Sequence, residues 1–271
     1  MADLRMAALV PGMPHMLAAD PAPSWARLGD AVRRTGDRMR AAGVRTVVMM
    51  STQWFTVLGH QVQTDPHLTG THCDENWYGL EYGRQGFDIT VDTELALAWA
   101  DAIDERGLQA RRTRYEGFPI DNGTITAMNL LDPGHGFALA LVSCNLYAGV
   151  EAMQTLGETA AAAAGRLDRR IGVVAVTGLS SGLIQRWITP DEDRVADGDE
   201  AWDRRMLDLI VDRKHDDVMA LRDEYARAAR VDSQLRVYPF LAGAGTGDLQ
   251  ACELVEYGPL WGTGAAVVNW Q

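Results

Sequence analysis

Short apolar runs bounded by glycine and proline alternate along the chain with longer amphipathic stretches, the pattern of a sheet with crossover helices. Arg5–Val10 reads as a strand, stopped by Pro11, Gly12 and Pro14, which open a loop carrying His15. Ser24 is read as the N-cap of a helix from Trp25 to about Ala42, with Gly43 as its stop. Val44–Met50 is then a buried strand ending at the small polar edge Ser51–Thr52–Gln53, and the βαβ unit so formed predicts parallel strands. From Thr56 to Gly86 the period breaks, and a long loop is expected there, of the kind that is usually functional or interface-forming. Phe87–Val91, Leu108–Tyr115, Phe137–Val142, Arg170–Val176 and Ala265–Trp270 read as further strands. Helices are predicted over Thr93–Arg106, from near Thr124, and over Val150–Leu167, Asp199–Asp212, Asp216–Ala229 and Ser233–Gly243. Gly117–Thr124 reads as a polar turn, and Tyr257–Gly264 as a glycine-rich turn. No repeat or linker interrupts the pattern. We therefore expect residues 1–271 to form one α/β domain, with a central, mostly parallel or mixed β-sheet flanked by helices on both faces.

Composition narrows the function classes. The net charge of −12, with no basic cluster, argues against nucleic acid and against an anionic membrane surface. No apolar run is long enough to span a bilayer, and Met1–Pro11 lacks the apolar core of a signal peptide, so a cytoplasmic protein is expected. Three widely spaced cysteines, Cys73, Cys144 and Cys252, suggest reduced thiols.

Motifs on their own do not supply a catalytic set. His60, His67 and His72 share the long loop, but no histidine pair stands at a zinc-type spacing, so polar surface is the plainer reading. Gly178–Leu179–Ser180–Ser181–Gly182 fits G-x-S-x-G letter for letter. The only later histidine is His215, in a charged segment, so a serine hydrolase is disfavoured. The glycines at 258, 262 and 264 precede a strand and read as a turn, not as a phosphate loop.

Four strings do carry a resemblance. Leu9–Val10–Pro11–Gly12–Met13–Pro14–His15, Ser51–Thr52–Gln53–Trp54, Asp121–Asn122–Gly123–Thr124–Ile125–Thr126 and Tyr257–Val267 stand in the order seen in the class III extradiol ring-cleaving dioxygenases. The sequence is similar to the branch that opens 2-aminophenol and pairs a catalytic β subunit with a related α subunit. His72–Tyr78 and Phe118–Asp121 look like the α type. The resemblance implies ferrous iron on two histidines and a carboxylate, with a further histidine as acid–base group.

Carried across, those roles fall on residues that cannot perform them. The first ligand position is Gly12, with His15 three residues on, and the second is Gln53. The carboxylate position maps to Arg230, the acid–base histidine to Ser181, and another active-site histidine of some relatives to Asn122. Glycine offers no ligand, an amide is a weak one, and arginine repels a cation. The resemblance thus implies a non-catalytic chain that holds no iron, with Fe(II) in a homologous β partner and an α2β2 assembly. Arg230 is expected to pair with Asp121 or another nearby acid. Trp54, Trp77, Tyr78 and Trp261 are candidates for the subunit contact. Two alternatives stand on the same scaffold. One is a self-sufficient enzyme, with a metal relocated to His15 and His60 or with none. The other is a small-molecule binding protein using the cleft near Gln53, Ser181 and Asn122.

Overall fold

The computed structural model describes residues 3–115, 120–182, 187–189 and 193–271. Gly117–Pro119 of the expected polar turn lie outside the described residues.

Four parallel strands form the core. They are β1 (Asp3–Val10), β2 (Thr46–Thr56), β7 (Ala138–Asn145) and β8 (Arg170–Val176). They run in the order β7-β2-β8-β1. Their apolar runs are buried on both faces, as strands under crossover helices must be. β1 and β2 are parallel as expected from the βαβ unit, but β8 inserts between them and pairs with both. The sheet is completed on one side by β3 (His60–Gln63) and β6 (Ala110–Thr113). On the other side lies the antiparallel hairpin β9 (Cys252–Leu260) and β10 (Thr263–Trp270). The result is one mixed eight-stranded sheet. A separate two-stranded ribbon joins β4 (His67–Cys73) to β5 (Arg84–Thr90).

Helices α1 (Pro23–Ala41) and α3 (Asn122–Leu131) pack together on one face of the sheet. Helices α2 (Thr93–Glu105), α4 (Val150–Arg166) and α7 (Val237–Gly243) cover the other. The Trp99 indole of α2 knits that layer, donating to Leu156 O on α4 at 3.0 Å and stacking on Phe240 of α7. Helices α5 (Asp197–Val211) and α6 (His215–Ala228) pair with each other, and α5 leans on the β9–β10 hairpin. Among the described residues, no helix is long and apolar enough to cross a membrane.

Several elements differ from the pattern-based expectation. The long loop expected at Thr56–Gly86 contains strands β3, β4 and the start of β5. Its exposed strand β4 carries histidine, threonine and glycine in place of an alternating apolar face. The helix expected from Ser233 starts only at Val237, because Ser233, Gln234 and Leu235 all take left-handed backbone angles. The expected turn at Tyr257–Gly264 shrinks to Trp261 and Gly262, both at positive φ, as a two-residue I′ hairpin turn requires. Gly258 and Pro259 lie inside β9, an edge strand where proline is tolerated. Ser24 is the second residue of α1 and caps nothing; its hydroxyl donates instead to Pro259 O at 2.8 Å.

Candidate functional site: a cleft at the carboxyl ends of the parallel strands

Strand β2 continues past the Met50 end expected from its apolar run and reaches Thr56 through a bulge. Ser51 pairs with Ser143 of β7 and Phe55 with Cys144, so the register shifts across Thr52, Gln53 and Trp54. A bulge re-aims side chains, and here it turns Gln53 toward the space beyond β1 and β8. A cleft of about 640 Å³ opens there, at the carboxyl ends of the strands, where open α/β sheets place their ligands.

Five of the seven nominated cleft residues line it: Gly12, Gln53, Asn122, Ser181 and Arg230. They come from the end of β1, the β2 bulge, the start of α3, the turn after β8 and the end of α6. At Gly12 the backbones close up. A Cβ there would lie 2.5 Å from Val176 Cγ1 and 2.8 Å from Gly123 Cα, and Gln53 Nε2 stands only 3.2 Å from the same point. The Gln53 amide therefore lies over the position where a side chain at residue 12 would begin.

Asn122 is the first residue of α3, whose N-cap is Asp121. The Asp121 carboxylate accepts from Ser51 Oγ at 2.6 Å and from Thr124 N and Oγ1 at 2.9 and 2.6 Å. Burial nonetheless pushes its pKa up. Its acceptor sites are taken by this cap, so it is not the partner of Arg230. That partner is Asp199 of α5, at 2.6 Å, while Arg230 Nε donates to Ser181 O at 3.1 Å.

Arg230 itself occupies the left-handed position after α6, with φ 53°. Val231 N bonds back to Ala226 O, so the helix ends in a Schellman-type turn that usually takes glycine. The next acid, Asp232, is one that pattern reasoning missed. Its Oδ2 accepts from Thr52 Oγ1 at 2.7 Å, Gly178 N at 3.0 Å and Thr177 Oγ1 at 3.3 Å. It thus ties β2 to β8 across the cleft floor. Ahead of a segment read as a helix, an aspartate looks like a cap, and that hid it. His72, Asp74 and Phe55 also line the cleft without having been singled out for it.

The other two nominated residues lie elsewhere. His15 is fully buried in a box of Trp25, Trp77, Tyr82 and Trp261, with ring centroids 4.5–5.0 Å away. Neither of its ring nitrogens has a hydrogen-bond partner among the described residues. His60 is buried on β3 beside β6. Of the four aromatics nominated for a subunit contact, Trp54 and Trp261 are core residues of this chain and Trp77 is half-buried; only Tyr78 is exposed. Trp261 is drawn inward because the I′ turn points its indole into the His15 box.

Neither motif-based alternative gains from the geometry. Ser180 is buried and donates its hydroxyl to Asp203 Oδ2 at 2.6 Å, while His215 stacks on Tyr238. His67 pairs with Asp88 on the β4–β5 ribbon. Among the described residues, no three His, Cys, Asp or Glu side chains converge as metal ligands. The three cysteines are free.

Comparison with known proteins agrees with this architecture. The family described as the catalytic LigB subunit of aromatic ring-opening dioxygenase matches residues 7–267. The 2-aminophenol 1,6-dioxygenase α subunit of a Pseudomonas species is 34% identical over 268 residues, covering 97% of each chain. The β subunit of a Pseudomonas 2-aminophenol 1,6-dioxygenase is 24% identical over 97% of this chain and 92% of its own. The crystal structure of an uncharacterized Escherichia coli K12 protein superposes with a TM-score of 0.72. It covers 98% of this chain and 100% of that one at 14% identity, a likeness of fold. The chain belongs to the LigB family of aromatic ring-opening dioxygenases.

Proposed function

We propose that this chain is the non-catalytic, α-type subunit of a two-subunit extradiol dioxygenase that opens 2-aminophenol-type rings next to the amino group. Ferrous iron and the chemistry belong to a homologous β partner, in an α2β2 assembly. The observation that carries this reading is the identity of the residues lining the cleft. Gly12 has no side chain, and the space for one is taken by Val176, Gly123 and Gln53. Gln53 offers only a neutral amide. Arg230 adds a fixed positive charge, held by Asp199. Iron in a ring-cleaving site needs a facial set of two imidazoles and a carboxylate with open positions. The residues present do not fit it. The likeness to a named α subunit, alongside a weaker likeness to a β subunit, supports the same assignment.

A metal relocated to His15 and His60 gains no support. The His15 ring is enclosed by four aromatic side chains, and neither histidine lines the cleft.

The test is iron content and ring-cleavage activity of the chain alone after anaerobic ferrous loading, and again after co-expression with a β-type partner. No stoichiometric iron alone, with an active co-purifying complex, is the expected result. Iron and turnover in the lone chain would overturn the assignment.

A further inference from the structure

At the amino ends of β2, β7 and β8, the end of the strands away from the cleft, the surface sinks into a hollow of about 530 Å³. Arg45 precedes β2 and Arg170 opens β8. Arg45 N donates to Arg170 O at 3.0 Å, so the two residues stand side by side on neighbouring strands, and both line the hollow. They lie far apart in sequence, and only the sheet brings them together. Like charges placed this way repel. Acids outnumber lysines and arginines by 37 to 25 in this chain, yet neither guanidinium makes a hydrogen bond or ion pair among the described residues. Their neighbour Arg169 gives the contrast, since Asp92 and Glu94 hold it at 2.9 and 2.5 Å. The third basic group is His135, at φ 51°. Its Nδ1 donates to Asp88 O at 2.7 Å, which leaves Nε2 for a ligand. Asp168 is the one acid among the lining residues.

Two guanidinium forks with their donors unspent match an oxyanion, which arginine takes through paired N–H···O bonds. A carboxylate fills one fork with its two oxygens. A phosphate has a further oxygen and a second charge for the other. The Nε2 of His135 accepts from a phosphate O–H or, protonated, donates to a phosphate oxygen. Asp168 offsets part of the positive charge and not all of it. We infer that the hollow is an oxyanion site, taking phosphate, free or as a small phosphate ester, on Arg45 and Arg170. Both arginines are exposed, so binding should be weak and screened by salt. The site is separate from the cleft and rests on no part of the subunit assignment.

The experiment is calorimetric titration of the full-length chain with inorganic phosphate and glycerol 3-phosphate at fixed pH and ionic strength, with acetate as the monovalent control. Arg45→Gln, Arg170→Gln and the double variant are titrated beside Arg34→Gln, which removes an exposed arginine of α1 outside the hollow. Neither guanidinium of the hollow carries a bond that folding would lose, so the variants should melt as the wild type does. Saturable binding is expected, with a dissociation constant on the order of a millimolar or below. It should weaken about fivefold or more in each single variant and vanish in the double, because charge-assisted bonds are the strong ones. Acetate should bind at least about fivefold more weakly than phosphate, on the same scale. Binding of inorganic phosphate assigns the site to the phosphate group itself, and binding of glycerol 3-phosphate alone assigns it to the ester. The inference is overturned by absence of saturable binding of both at millimolar concentration, by acetate binding equally well, or by equal weakening in Arg34→Gln. Unchanged affinity in the double variant would overturn it too. Iron content and activity of the co-expressed complex read the subunit assignment separately, so the two can fail independently.

Discussion

His15 sits among four aromatic rings with neither nitrogen hydrogen-bonded to a described residue, and burial pushes its pKa down to about 3. His60, buried on β3, is pushed down to about 4. In the unfolded chain both take up a proton near pH 6.5, whereas the native state refuses it until far lower pH. The unfolded state therefore binds more protons between these limits, and stability falls as pH falls from about 6.5 toward 4. His15 alone contributes a loss on the order of 3 kcal/mol across that window, at about 1.4 kcal/mol per pH unit. Urea titrations of the wild type and of His15→Phe at pH 7 and pH 4.5 check this. The variant, which fills the box with another ring, should lose about one proton's worth of the pH slope. Equal slopes would mean that the imidazole is protonated in the native state. Gly12 makes a second prediction at this scale. Gly12→Ala places a methyl 2.5 Å from Val176 and 2.8 Å from the Gly123 backbone. The cost should be about 1–3 kcal/mol by chemical denaturation, as for other overpacked cores.

Elements meet at one buried carboxylate. Asp203 of α5 accepts from Ser180 N and Oγ at 3.1 and 2.6 Å, Tyr225 OH of α6 at 2.6 Å and Tyr257 OH of β9 at 2.8 Å. It joins the turn after β8, both outer helices and the edge hairpin, although burial pushes its own pKa up. Asp203→Ala would leave three hydroxyls and one amide without an acceptor. With each unpaired buried donor worth about 1–3 kcal/mol, we expect a loss of at least about 3 kcal/mol in urea unfolding. A loss below about 1 kcal/mol would show that water replaces the carboxylate. None of this could be read from the chain, because the three partner residues lie far from Asp203 in sequence. Elements with a local cause were legible. The unbroken apolar run Arg170–Val176 is β8 to the residue, and α4 follows from its alanine-rich periodicity. Strand β4, the start of β5 and β9 were not, because these stretches are half-exposed and their glycines and proline read as breakers. The left-handed turn at Ser233–Leu235 has no glycine to announce it. It is held by side-chain bonds, Arg222 Nη1 to Gln234 O from α6 and the local Arg236 Nη1 to Ser233 O, both 2.9 Å.

Across the whole molecule, the cleft is a gathering of strand ends and helix ends, so its members were legible only through motif strings whose order in the chain was already known. Gly12, Gln53 and Asn122 stand inside such strings, and Ser181 and Arg230 follow from carrying the family's site positions across. His72 opens the string His72–Tyr78 without being read as a cleft residue, and Asp232 belongs to no string. The same distribution decides how far the cleft is from holding a metal. A histidine at Gln53 would supply one imidazole. Residue 12 would still be closed by Val176 and Gly123, and the Arg230 guanidinium would still present a positive charge. We therefore predict that Gln53→His, loaded anaerobically with ferrous ion and desalted, retains no more iron than the wild type by elemental analysis. Three separate elements would have to change together, and at Gly12 the change opposes packing as well as chemistry. Stoichiometric iron in the single variant would show that Asp232 and His72 already supply the remaining ligands, and that the cleft lacks only one donor.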